Sequence, residues 1–267
     1  MANNKVEIEN NLNLIRSLIT KHKRHDHIFA GVGMFIIISL TITLLVLFLD
    51  LVFDGYPRFN LDFLTNFPSR RATAAGILSA WVGSSLVLIV TFFAAVPLGI
   101  AAGVYLEEYA KKNWFSDLIE INVTNLAGVP SIIYGLLALG LFVYGFGLGQ
   151  TILTAGLTLA LLMLPIVIVA TREAIRAIPI HIREAAYAVG ATKWQVSLHH
   201  VIQYSYGGIL TGVIIGMARA IGETAPVITI GALTFIAFLP PSPVGLEPPF
   251  INFEWLEAGF TVLPIQM

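Results

Sequence analysis

INVTNLAGVPSIIYGLLALGLFVYGFGLGQTILTAGLTLALLMLPIVIVAT, Ile121–Thr171, runs for 51 residues without one Asp, Glu, Lys or Arg. A helix crosses the hydrocarbon core of a bilayer with about 20 residues. The stretch is therefore too long for one span and suits two, with the glycines of Gly145–Gln150 supplying the turn between them. The whole chain agrees with this. Of 267 residues 57% are hydrophobic and 12% charged, with mean hydropathy +0.82. A soluble domain carries roughly 25% charged residues, so too little polar surface remains to coat a globule in water. The fold class expected is all-α, a polytopic transmembrane helical bundle. A net charge of −1 calls for no nucleic-acid partner. The absence of cysteine excludes disulfides, iron–sulfur clusters and thiolate metal sites.

Working outward, Ile28–Leu49 is uncharged for 22 residues and predicts a retained first span. It is too long for the apolar region of a signal peptide and lacks a small-residue cleavage site. Before it, residues 1–27 form a polar tail. Ile8, Leu12, Ile15 and Ile19 in that tail fall on one stripe of a possible helix, which leaves a membrane-surface helix and a solvated tail both open. Gly55, Pro57, Asn60, Asn66 and Pro68 mark a turn-rich segment over Asp54–Arg71. Ala72–Leu106, 35 uncharged residues, holds the second span, and the charged connector Glu107–Glu120 reads as a solvated loop. A fifth span is expected over about Gly207–Phe238, before a proline-rich stretch with Pro240, Pro241, Pro243, Pro248 and Pro249.

Lysine and arginine orient the chain. Eleven fall in the tail and in the second and fourth connectors, while Arg58, Arg70 and Arg71 stand alone on the opposite side. The N-terminus is accordingly expected in the cytoplasm, and five spans would leave the C-terminus outside.

Two constellations carry chemistry. The connector at about 172–206 has helix punctuation: Pro179 opens a segment, Gly190 closes it, and Thr192-Lys-Trp-Gln195 matches a capping box. Two short helices around a glycine turn make a knob for a soluble partner; an ordinary pair of interfacial helices is the plain alternative. The second constellation is Ala218-Arg219-Ala-Ile-Gly222-Glu223-Thr-Ala-Pro226. An arginine about 12 residues into a span costs ~2.5–3.5 kcal/mol on the lenient insertion scale. Glu223 lies four residues on, on the same helical face, and Pro226 cannot donate to the carbonyl of Gly222. Mutual neutralisation at a helix interface is one explanation. A polar site on a translocation path is the other, since a guanidinium presents a planar fork of donors to a tetrahedral oxyanion.

The connector resembles the docking loop of ABC importer permeases, carried by Glu184-Ala185-Ala186, three intervening residues and then Gly190. Ala218–Pro226 is similar to the signature of the PstA-type permeases of phosphate ABC importers. Ala127-Gly-Val-Pro130-Ser131-Ile-Ile-Tyr134-Gly135 and Pro97-Leu98-Gly99-Ile100 support it, in the expected order. The resemblance implies a type I ABC importer permease fold over residues 28–267, in a bacterial inner membrane, with five spans present and the family's sixth missing after Phe260–Gln266. It implies Arg219 and Glu223 on the transport pathway, and Glu184, Ala185, Ala186 and Gly190 in ATPase coupling. Pro97, Gly99, Pro130, Gly222 and Pro226 would break or pack helices. Implied partners are a homologous second permease of PstC type, two ATP-binding subunits, an extracytoplasmic phosphate-binding protein, inorganic phosphate and the lipid bilayer. No cofactor belongs to this chain; ATP and magnesium would be used by the partner ATPase.

Other features carry less. His22, His25 and His27, interleaved with lysine and arginine, read as part of the basic anchor rather than a metal site. His199-His200 has no carboxylate at ligand spacing. No lysine-bearing phosphate loop and no catalytic set is present. A permease for sulfate or molybdate, a membrane enzyme using Glu223 as acid or base, and a scaffold subunit are the rival functions. The first differs only in the anion, the second lacks another ionisable residue in the span, and the third leaves the knob and the charged pair without use.

Overall fold

The computed structural model describes residues 2–71, 74–111, 113–244 and 250–266, without the side chains of 2–22 and 24. The tail stripe Ile8–Ile19, Lys112, Pro248 and Pro249 therefore lie wholly or in their side chains outside the described residues. Packing divides the chain into two units, residues 1–60 and 61–267.

The first unit is one helix, α1 (Ala2–Gly55), closed by a 3-10 turn over Tyr56–Arg58. From His25 to Arg58 it is long and apolar enough to cross a membrane. In lipid a helix keeps every backbone polar group satisfied within itself. The hydroxyls of Thr41 and Thr43 likewise return to the carbonyls of Ile37 and Ser39.

In the second unit a short α2 (Leu61–Thr65) precedes α3 (Leu78–Val104), whose last turn widens into a π-turn over Tyr105–Tyr109. Pro97 lies inside α3 and does not end it; it only removes the donor that the carbonyl of Phe93 would meet. Next come α4 (Trp114–Leu126) and α5 (Ser131–Ala138), the latter extended by a π-turn over Leu139–Gly145. The two helices are bent by 105° at Ala127–Pro130, and the Tyr134 hydroxyl ties the corner by donating to the carbonyl of Leu126 at 2.7 Å. The expected turn at Gly145–Gln150 is present, with Gly147 and Gly149 at φ +69°. Thr151 then caps α6 (Ile152–Arg176).

The connector after α6 forms α7 (Ile180–Ala188), a turn at Gly190 with φ +87°, and α8 (Lys193–Val196) under the full Thr192–Gln195 capping box. Here the structure corrects the sequence. The second knob helix is not short. It passes through a π-turn over Ser197–Val201 into α9 (Ile202–Gly222), so the apolar helix covers Lys193–Gly222 rather than Gly207–Phe238. Nothing between Thr192 and Gly222 breaks a helix, whereas Pro226 does. After the break comes α10 (Ala225–Ile230). The chain returns along α3 as α11 (Leu263–Gln266), where the Leu263 amide donates to Ser84 Oγ at 2.9 Å.

α6 lies between α3 and α9, and small residues set how closely they approach. A Cβ at Gly99 or Gly103 of α3 would stand 2.8 or 2.7 Å from Val167 or Thr171 of α6. On the other side Gly208 and Gly212 of α9 meet Ala174 and Ala170. The described residues hold four helices able to span, five crossing segments if the bent pair α4–α5 counts as one.

Candidate functional site

The charged pair stands where α9 ends. Gly222 closes the helix, Glu223 turns extended at ψ 113°, and Pro226 occupies the first turn of α10. Arg219 Nε lies 3.2 Å from Glu223 Oε1. The pair therefore stands at the end of a helix, where Pro226 loosens the backbone as expected, rather than about 12 residues into a span over Gly207–Phe238. The break has a physical cause: proline withholds an amide and glycine needs no side-chain room. The guanidinium uses one nitrogen on Glu223, and its other donors make no hydrogen bond among the described residues. Arg219 is 43% exposed and Glu223 18%. Glu223 lines a small pocket with Ser84 and Val87 of α3, Leu159 of α6, Val227 of α10 and Val262. A half-exposed fork beside a sheltered carboxylate can receive an oxyanion and one of its protons.

The corner α4–α5 braces this break. Gly135 lets α5 approach so closely that a Cβ there would meet Pro226 Cα at 2.7 Å, Pro226 O at 2.9 Å and the Thr229 hydroxyl. Pro130 starts α5 after the bend.

On the knob, Glu184 is 65% exposed, and among the described residues its one ion-pair partner is His181, at 3.4 Å. Ala185 also faces outward, while Ala186 is buried with Ile175, Val196 and Val201. Val189 and Trp194 stand exposed beside the Gly190 turn. The knob thus has an apolar underside fixed to the bundle and an outward face carrying Glu184, Ala185 and Val189.

A third group was missed by sequence reasoning. Glu107 and Glu108, expected in a solvated loop, are ion-paired instead. Arg172 and Arg176, one turn apart on α6, both reach Glu107 on the π-turn of α3, at 3.4 and 3.0 Å. Both also reach Glu120 of α4, at 2.7 and 3.2 Å. Arg183 of α7 pairs with Glu108 at 2.9 Å. The available signal was parity: two connectors on the same side of the membrane, one rich in carboxylates and the other in arginines.

Apolar helices around a small-residue core, a polar break within them and a knob projecting at one end define a multi-pass membrane transport component. The chain belongs to the family described as binding-protein-dependent transport system inner membrane component, whose profile matches residues 95–244. It is similar to a probable ABC transporter permease protein, YqgI, of Bacillus subtilis, 32% identical over 226 residues that cover 84% of this chain and 72% of that one. It is also similar to the phosphate transport system permease protein PstA of Haemophilus influenzae, at 30% over 90% of this chain and 84% of the relative. PstA of Mycobacterium leprae is 40% identical over 72% of this chain, which spans 58% of that relative's length. The PstA-type resemblance drawn from the sequence agrees with these relatives.

Proposed function

We propose that this chain is the permease subunit of an ABC importer that carries inorganic phosphate into the cytoplasm, driven by ATP and magnesium at partner ATP-binding subunits. A second permease of PstC type and an extracytoplasmic phosphate-binding protein complete the assembly, with the N-terminus of this chain in the cytoplasm. The observation that carries the proposal is the Arg219–Glu223 pair at a helix break, with guanidinium donors left over, in a chain similar to proteins named for phosphate transport. Arg219 binds the anion through charge-assisted hydrogen bonds. Near neutral pH phosphate keeps a proton and sulfate does not, so the Glu223 carboxylate accepts a hydrogen bond from phosphate and repels sulfate. In the same proposal the segment Glu184–Gly190 couples to the ATPase: Glu184 and Ala185 dock through the outward face of α7, Ala186 anchors that helix from beneath, and Gly190 makes the turn that follows it.

Phosphate uptake in cells deleted for this subunit and then restored tests the assignment. The native chain is expected to restore uptake and Arg219→Ala to abolish it; normal transport by the alanine variant removes Arg219 from the pathway. Glu223→Gln is expected to narrow the preference for phosphate over sulfate, and unchanged selectivity excludes the carboxylate from discrimination.

A further inference from the structure

Arg183 directly precedes the outward Glu184, yet its own side chain points inward and touches three elements. Nε and Nη2 donate to Glu108 Oε1 at 3.1 and 2.9 Å. Nη2 also donates to the carbonyl of Ile175, and Nη1 to that of Ile178, both at 3.1 Å. Arg183 thus adds a donor to the Ile175 carbonyl in the last turn of α6, which also accepts from the Ile178 amide, and another to the Ile178 carbonyl just past the helix end. Glu108 and Glu107 are neighbours on the wide turn that closes α3. Glu108 is held by α7, whereas Glu107 is held by Arg172 and Arg176 of α6, which also hold Glu120 of α4.

We infer that Arg183 is a positioning residue that locks α7 to the ends of α3 and α6, so that knob, helix ends and α4 shift as one rigid body when a partner presses on α7. The inference rests on the docking role proposed above. The Glu108 side chain is 7% exposed and that of Arg183 19%. Drawing α7 away from α3 would leave a sheltered carboxylate without its counter-charge, which is strongly unfavourable. Carrying the wide turn along with α7 keeps every bond. The apolar contact of Ala186 with Ile175, Val196 and Val201 bears compression, and the guanidinium bears tension.

Spin labels on His181→Cys and Tyr105→Cys measure the separation of α7 and the end of α3 in the assembled transporter; the chain has no other cysteine. With Glu108 and Arg183 intact, the distance is expected to be the same without nucleotide and with ATP. Glu108→Gln or Arg183→Lys is expected to broaden it, make it nucleotide-dependent, and lower phosphate carried per ATP hydrolysed about tenfold. Glu173→Gln, which removes an ion pair within α6 alone, should leave distance and stoichiometry unchanged. A distance that shifts with ATP while Glu108 and Arg183 are intact overturns the inference, even if one variant fails to assemble. So does a distance that neither substitution alters. A constant distance in a transporter that moves no phosphate refutes the transport assignment and leaves the rigid linkage standing.

Discussion

Gly135→Ala probes the contact that fixes the broken helix. The added methyl would lie 2.7 Å from Pro226 Cα and 2.9 Å from Pro226 O, where ordinary contact begins at 3.4 Å. Neither atom can swing aside, because both are backbone. The Thr229 hydroxyl, the third neighbour, is engaged with the carbonyl of Pro226 at 2.8 Å. α5 must therefore retreat from α10 by roughly 0.7 Å at this point, the shortfall between 2.7 and 3.4 Å. Overpacking of this kind costs about 1–3 kcal/mol. Alanine returns up to about 1 kcal/mol through its better helix propensity, so the net effect is destabilising. Thermal unfolding of the purified chain in detergent should fall by about 2–4 °C for each net kcal/mol. Phosphate uptake should fall with it, because Pro226 positions the chain beside Glu223. Gly140→Ala is the internal control, since a Cβ there meets nothing within 4 Å. Equal melting temperatures and equal uptake for the two variants would refute the close α5–α10 contact and the bracing role given to it.

Other substitutions separate the remaining contributions. Arg172→Ala, at a side chain 8% exposed between Glu107 and Glu120, should cost about 1.5–3 kcal/mol through its lost charge-assisted hydrogen bonds, because both carboxylates keep Arg176; thermal unfolding reads it. Arg176→Ala, at a side chain 40% exposed, should cost about 1 kcal/mol or less in the same measurement. Gly190→Ala, at φ +87°, should cost about 1–2 kcal/mol and loosen the knob, seen as faster amide exchange over 180–196. Thr192→Ala removes the capping box and should cost about 1 kcal/mol, with faster exchange confined to the start of α8.

What the sequence made legible were features whose cause is local. The uncharged run at 121–171 divided at Gly145–Gln150, where Gly147 and Gly149 adopt the left-handed backbone that glycine allows. The capping box at Thr192 and the glycine turn at Gly190 formed as their residue types require. The Arg219–Glu223 pair came together because i, i+4 spacing nearly suffices. What escaped notice depends on partners distant in sequence. Glu107 and Arg172 are 65 residues apart and Glu108 and Arg183 are 75 apart, so only the packing of α3 against α6 brings them into contact. The start of the last long helix was misplaced for another reason. Hydropathy falls off over residues 193–206, whereas helix continuity depends on the absence of a breaker and not on apolarity.

The ion pairs of Arg172, Arg176 and Arg183 also bear on biogenesis. While the chain is being threaded into the bilayer, α3, α4 and α6 have not met, and these arginines carry bare positive charge. Unpaired, they are the kind of residue that holds a loop on the cytoplasmic side. Once the helices assemble, Glu107, Glu108 and Glu120 neutralise the same guanidiniums. In the orientation proposed above, one set of charges serves twice in order, first as a topogenic signal and then as a joint, and replacing them with neutral residues is expected to disturb insertion before it disturbs the folded chain.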